Sequence, residues 1–386
     1  MSHKSNSRIR ICIIGNHASS IPSFRGPLIA DMVEKGMEVF ALSPDYDEDT
    51  RAAVDALGAR PVDYSLSRTG MNPLRDVADM ISLVFLLRQL RPDMTLFYSI
   101  KPVIYGILAA WFARVPKRYG MIEGLGYAFT MPKGKEPLRH KILRGAVVML
   151  YATAIGRASG VFFLNKDDVE EFLNRHLVKP EKVIYLGGIG VDLQEWQFES
   201  PVTKPVTFLL AARMLREKGI AEYAMAAHVI KQKHPDTRFI LLGILDTNPG
   251  ALSRGDVVQL AAEGSLEWPG RVPDVRPWLA QASVFVLPSY YREGVPRSTQ
   301  EAMAMARPVI TTDAPGCRET VVDGVNGFLI PVRDVEALSA AMERFIHQPE
   351  LIEKMGRASR SIAEERFDVR KINQVILREM TSHEVL

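Results

Sequence analysis

The chain has 386 residues, 47% of them hydrophobic and 24% charged, which is ordinary for a globular protein and enough for two domains with separate cores. A net charge of +3 is too small to demand nucleic acid as a partner. The two cysteines, Cys12 and Cys317, have no metal-ligand spacing and point to a reducing compartment; residues 1–7 lack the apolar core of a signal peptide, and the longest apolar runs, about a dozen residues, are too short to span a bilayer.

Residues 8–15 read as an apolar strand, 15–25 as a polar turn opening a helix that ends near Gly36, and 37–42 as a second strand. This is a βαβ unit of the doubly wound type. It lacks Gly-x-Gly-x-x-Gly and carries Phe24-Arg25 where small residues would be needed, so it is not a dinucleotide fingerprint. Asp45-Tyr-Asp-Glu-Asp49 has Asp-x-Asp spacings, but it precedes a helix and reads as capping and solvated acid rather than a metal site. Further strands at 59–62, 94–98 and 118–122, with helices over 73–91 and 102–114, predict a parallel Rossmann-like sheet. Glu123-Gly-Leu-Gly-Tyr-Ala-Phe-Thr130 follows a strand directly, where such a sheet presents functional loops.

Between residues 101 and 160 there are ten Lys and Arg against two Glu. Inside that block, 138–156 reads as a helix with two basic turns followed by a stretch, 146–155, that is apolar all round. Such a helix is buried in a core or dips into a membrane face, and the neighbouring cations suit an anionic leaflet or a lipid diphosphate. Strands at 161–164 and 182–186 close the first half. Residues 199–205, with two prolines and little apolar content, read as a linker.

In the second half, a strand at 206–211 leads through Ala212-Arg-Met-Leu-Arg-Glu-Lys-Gly-Ile220 into a long helix, and strands follow at 239–243, 266–269, 283–287 and 309–312. Pro296 stands where a first helical position belongs, the helix runs to Ala306, and Arg307-Pro308 stops it. This leaves backbone N–H groups near Gly294, Val295, Pro296, Arg297 and Ser298 at a positive helix end, a place for an anion such as a diphosphate. Arg213 and Lys218 flank that place, and two cations there would stabilise charge on a leaving group. Glu293 lies before the helix and Glu301 about two turns along it, both suited to vicinal hydroxyls of a hexose or ribose. The last helices occupy about 333–385.

Glu293 within Arg-Glu-Gly-Val-Pro-Arg-Ser and Glu301 before Ala-Met-Ala, separated by seven residues, resemble the signature of the retaining nucleotide-sugar glycosyltransferases of family 4. Ala212-Arg-Met-Leu and Glu217-Lys-Gly are similar to that family's Gly-Arg-Leu-x-x-Glu-Lys-Gly, with Ala for the first Gly; Gly187-Gly-Ile-Gly-Val-Asp192 resembles its turn before the hinge, and Trp268 to Trp278 its base-binding turn. Where many members have His-Gly, this chain has Glu123-Gly124, and the Gly-Leu-Gly-Tyr-Ala-Phe variant resembles a bacterial subset that acts on polyprenyl-diphosphate-linked sugars.

The resemblance implies a GT-B fold, two Rossmann-like domains facing across a cleft: 1–198 for the acceptor, 199–205 as linker, 206–365 for the nucleotide sugar, and 366–386 returning to the first domain. It implies that Glu293 orients the transferred sugar, Glu301 the ribose, Arg213 and Lys218 the diphosphate, and the backbone at Arg271 and Val272 the base. On the acceptor side it implies Asn16, His17, Ser19, Arg25, Glu123 and Gly124. The expected donor is a nucleotide-diphosphate sugar, UDP-linked, used without a metal. The expected acceptor is a polyprenyl-diphosphate-linked saccharide in cell-surface glycan assembly, reached from an anionic membrane surface on the cytoplasmic side, with no nucleic acid involved. A sugar-nucleotide epimerase of the same fold, and a non-catalytic module binding sugar nucleotide or lipid, are the alternatives.

Overall fold

The computed structural model describes residues 8–67, 72–130, 136–246 and 250–382, so Lys133 and Lys135 of the basic block lie outside the described residues. The chain divides into two compact units, Met1–Leu186 with Val369–Leu386, and Gly187–Asp368. The division falls before the 199–205 stretch read as a linker, which belongs to the second unit.

The first unit is a parallel sheet of β1 (Arg10–Ile14), β2 (Glu38–Ser43), β3 (Arg60–Asp63), β4 (Met94–Tyr98), β5 (Lys117–Ile122), β6 (Gly160–Phe163) and β7 (Val183–Tyr185), in the order β3-β2-β1-β4-β5-β6-β7. Its central strand, Met-Thr-Leu-Phe-Tyr, is buried throughout, because helices cover both faces of a parallel sheet. The helices are α1 (Gly26–Glu34), α2 (Glu48–Ala56), α3 (Pro73–Leu90), α4 (Ile107–Phe112), α5 (Leu138–Ile155) and α6 (Lys166–Asn174), with α3 packed on α4 and α4 on α5. Two π-helical turns, Ile21–Arg25 and Pro102–Gly106, precede α1 and α4, so the single helix expected over 102–114 is a wide turn followed by a short α-helix.

Helix α5 is neither core nor apolar-exposed all round. His140, Tyr151, Ala154 and Ile155 are buried, while Leu138, Ile142 and Met149 are exposed along the opposite face.

The second unit is a parallel sheet of β8 (Thr207–Ala211), β9 (Arg238–Leu242), β10 (Glu267–Gly270), β11 (Val284–Leu287), β12 (Val309–Thr312) and β13 (Gly327–Ile330), ordered β10-β9-β8-β11-β12-β13. Around it lie α7 (Ile220–Lys233), α8 (Arg254–Glu263), α9 (Arg276–Ala280), α10 (Arg297–Ala304), α11 (Val335–His347) and α12 (Glu350–Arg366). Pro296 is the N-cap of α10 rather than its first residue. The last helix, α13 (Val369–Thr381), belongs to the first unit: Asn373 donates to Asp31 on α1 at 2.7 Å, and Lys117 donates to the Met380 carbonyl at 3.1 Å.

Arg307 is fully buried where β12 begins. Its guanidinium donates to the carbonyls of Ala282 and Glu199, both at 2.8 Å, which ties residue 199 to the second unit, and burial pulls its pKa down to about 10. Removing the fork would leave two carbonyls without their donor. Arg307→Met, which keeps the stem but no donor, should cost about 2–4 kcal/mol of unfolding free energy. Urea unfolding of the two proteins measures this, and a loss below about 1 kcal/mol would contradict it.

Candidate active site

In the second unit the strand order reverses between β8 and β11, so loops leaving the carboxyl ends of those strands diverge and open a crevice. Arg213 and Lys218 follow β8, Arg271 and Val272 follow β10, and the segment from Glu293 to Ser298 follows β11. The backbone decides how closely these loops approach. Gly219, at φ 76°, turns the chain from the Arg216–Lys218 turn into α7, and a Cβ there would lie 2.2 Å from the Pro288 carbonyl oxygen. Only glycine permits that contact.

The approach places Lys218 Nζ against Glu293 Oε1, and the Ser289 hydroxyl donates to the same oxygen at 2.9 Å. Both charged side chains are only 11% exposed. Gly316, at φ 78°, closes the other side, since a Cβ there would stand 2.3 Å from the Gly294 carbonyl oxygen.

On α10, Arg297 Nε donates to Glu301 Oε1 at 2.8 Å, one turn away, with each side chain 15% exposed. Burial raises the Glu301 carboxyl above its ordinary range, and the Arg297 guanidinium only partly offsets this. Whereas α2, α6 and α11 begin with Asp47, Asn165 and Asp334 accepting backbone N–H groups, no side chain caps α10. The positive end of a helix dipole favours an anion. Gln300 holds the helix from behind, donating to the Val295 carbonyl at 3.1 Å and accepting the Gly190 N–H at 3.0 Å.

Arg213 is held differently. Its Nη1 donates at 2.8 Å to Asp246, a buried carboxylate that the sequence did not single out, and the guanidinium is otherwise half exposed. Arg271 is exposed and Val272 half-buried. Lys218, Glu293 and Ser289 thus form one cluster and Arg297 with Glu301 a second, while Arg213 sits on its own carboxylate.

The first unit has the same reversal between β1 and β4. Asn16, His17, Ser19 and Arg25 follow β1; Glu123 and Gly124 follow β5. Arg25, almost fully buried, pairs with Glu123 Oε1 and lies 4.7 Å over the Tyr98 ring. Burial raises the Glu123 carboxyl, with Arg25 opposing.

His17 Nδ1 stands 2.5 Å from Asp45 Oδ2, and Asp45 also accepts from Ala18 N–H at 2.7 Å and from the Ser43 hydroxyl at 2.8 Å. Burial would raise this carboxyl, but those hydrogen bonds outweigh it and hold it low. Reading 45–49 as capping and solvated acid is therefore right for Asp47, which accepts from Thr50 N–H at 2.8 Å, and wrong for Asp45, which organises the β1 loop. Ser19 is exposed and Asn16 half-buried on that loop.

Residues 205–348 match a family described as glycosyl transferases group 1. Over 357 residues, 89% of this chain and 91% of the relative, the chain is 28% identical to the N,N'-diacetylbacillosaminyl-diphospho-undecaprenol alpha-1,3-N-acetylgalactosaminyltransferase of Campylobacter jejuni. The chain is a glycosyltransferase whose second unit carries the group 1, or family 4, match. A second relative, the UDP-Gal:alpha-D-GlcNAc-diphosphoundecaprenol alpha-1,3-galactosyltransferase of Escherichia coli, is 25% identical over 293 residues, 70% of each chain. Among solved structures, a glycosyltransferase from Rickettsia africae superposes with a TM-score of 0.77 at 16% identity, covering 98% of this chain and 99% of that one, which establishes the GT-B fold.

In this glycosyltransferase the raised carboxyl of Glu301 has a measurable consequence. The folded chain holds that proton more readily than the unfolded chain, so stability falls as pH rises from the ordinary glutamate pKa through the raised one, and the penalty is full above that window. Glu301→Gln keeps an oxygen for Arg297 and removes the penalty. Its melting temperature should exceed that of wild type at pH 8, with the gain shrinking as pH falls below the window; a gain that does not depend on pH would contradict the assignment.

Proposed function

We propose that this glycosyltransferase moves a hexosyl or N-acetylhexosaminyl group, with retention at the anomeric carbon, from a UDP-linked sugar to a saccharide carried on a polyprenyl diphosphate. The observation that carries the reading is the cluster of Lys218, Glu293 and Ser289 at the β8/β11 reversal, beside the uncapped end of α10. The relatives above support the substrate class, since both names specify an undecaprenyl diphosphate acceptor and one a UDP-linked donor.

In the proposed reaction the diphosphate lies between the α10 amides, Lys218 and Arg213, while Glu301 takes the ribose hydroxyls and the backbone at Arg271 and Val272 the base. Glu293 orients the sugar. The bond from C1 to the diphosphate oxygen breaks as the acceptor hydroxyl oxygen bonds to C1 on the same face, and the hydroxyl proton passes to the departing phosphate. Cations and helix dipole, not a metal, stabilise the charge that develops. Lys218 rests on Glu293 until the diphosphate offers it a second anion. Residues 206–365 hold the donor in this reading. Residues 1–198 hold the acceptor, through the loop of Asn16, His17 and Ser19 and the Arg25–Glu123 pair.

The protein would work as a peripheral protein on the cytoplasmic membrane face. The basic surplus over 101–160 and the exposed apolar side of α5 support this, and among the described residues no helix is long and apolar enough to cross a membrane.

Two sets of variants test the assignments. Glu301→Ala should weaken UDP binding in calorimetry, whereas Glu293→Gln should leave binding near wild type and lower kcat. Equal, negligible effects would sink both roles. Lys218→Ala or Arg213→Ala should lower the rate by about a hundredfold or more, the scale for a group stabilising developing charge. Activity abolished by a chelator and restored by a divalent cation would show that the charge is stabilised elsewhere. Mass spectrometry with a panel of UDP-sugars and lipid-linked acceptors identifies the product, and its anomeric configuration by NMR decides retention.

A further inference from the structure

Helix α3 in the first unit buries Leu83, Val84 and Leu87 in the core, yet turns both of its acids inward and leaves a second row of apolar side chains in solvent. A helix on the surface of a water-soluble domain turns its charges outward and its large apolar side chains inward. Here the two carboxylates of α3 face in: Asp76 accepts Lys101 Nζ at 2.6 Å, and Asp79 accepts the Ser65 hydroxyl and, at 3.0 Å, the Ser67 N–H. Leu74, Val77, Ile81 and Phe85 face out, 83%, 45%, 48% and 63% exposed. Their spacings of three, four and four residues put them on one line along three turns, and Arg88, three further on, continues it. On α4, which packs against α3, Trp111 and Phe112 are also exposed, and Arg88 ties the two helices by donating to the Phe112 carbonyl at 3.1 Å. Next to α4 comes α5 with its own exposed apolar side.

The charges around these apolar lines have one sign. The exposed charged side chains on α3, α4 and α5 are Arg75, Arg88, Arg139 and Lys141; α4 and α5 contain no acidic residue, and both acids of α3 are buried and bonded. A second copy of the chain seated on this face would bring like charges together, since a two-fold interface pairs a surface with itself. An anionic bilayer meets both requirements, because it takes the apolar side chains below its headgroups and the arginines among them.

We propose that the outward face of α3, continued by Trp111 and Phe112, inserts into the headgroup layer of an anionic membrane, so that α3 and not only the basic α5 anchors the enzyme. This rests on the reading of the acceptor as lipid-linked and names the surface through which the chain meets that lipid.

Co-sedimentation of the full chain with vesicles of phosphatidylglycerol and phosphatidylethanolamine tests it. At about 0.15 M salt, wild type should pellet and Ile81→Ser/Phe85→Ser should bind at least about tenfold more weakly, given the transfer free energy of two exposed apolar side chains. UDP affinity and melting temperature should stay at wild-type values, since the substituted side chains are exposed and the donor residues lie in the other unit. Arg75→Gln/Arg88→Gln should bind less at low salt and depend less on salt. Wild-type binding by the Ile81/Phe85 variant would overturn the proposal, as would a wild type that stays in the supernatant. Sedimentation velocity showing a dimer that this variant dissociates would overturn it in favour of a second copy. Turnover of a polyprenyl-diphosphate saccharide dispersed in detergent, without vesicles, tests the acceptor reading separately: no turnover by a wild type that had pelleted in the sedimentation assay would sink that reading and leave the surface standing.

Discussion

Lys218 and Glu293 bury opposite charges together where the strand order of the second sheet reverses, and most of the surrounding structure is needed to make that tolerable. Taking either charge out of water alone would cost several kcal/mol, and the mutual attraction offsets this only where geometry and further hydrogen bonds are good. Ser289 supplies one such bond, and Gly219 and Gly316 let the loops come close enough for the pair to meet. On the proposed reading, in which this site receives a diphosphate, charges already desolvated and fixed leave little reorganisation for the reacting state.

The two units solve the same problem with different residues. In each, a parallel sheet reverses its strand order, and a cation lies against a buried carboxylate near the carboxyl edge, Arg25 with Glu123 in one and Arg297 with Glu301 in the other. Both carboxyls are pushed up by burial with the arginine opposing. Groups perturbed by burial and a charge partner concentrate where proteins bind and react, and among the described residues each sheet has a carboxyl of this kind near its carboxyl edge. The first unit adds a surface whose exposed charges on three adjacent helices share one sign, a pattern that concerns partners and not folding.

The strands were legible because a parallel sheet covered on both faces needs short, continuous apolar runs, and residues 94–98 and 309–312 are such runs, with the same bounds in the structure. Local polar competition hid other elements. Helix α6 begins at Asn165, which accepts the Asp168 N–H, and α8 at Ser253 in a capping box with Asp256; both caps could have been read from spacing, but the helices behind them bury few apolar residues. Strand β13, Gly327–Ile330, was not legible either, because the three apolar residues between Gly327 and Pro331 give no period to detect.

At the candidate site, the sequence determined which residue types are present and on which loops, since motif spacing places Glu293 before a helix and Glu301 on it, one turn in, and a helix has only one periodicity. Partner choice was decided by the tertiary structure. Lys218 meets Glu293, Arg213 meets Asp246 and His17 meets Asp45 across separations of 75, 33 and 28 residues, and Asp76 and Asp79 turn inward on a helix that leaves Leu74, Val77, Ile81 and Phe85 exposed. Such pairings depend on how distant loops are brought together by packing and on how much water is left around each charge, and neither quantity is local to the chain.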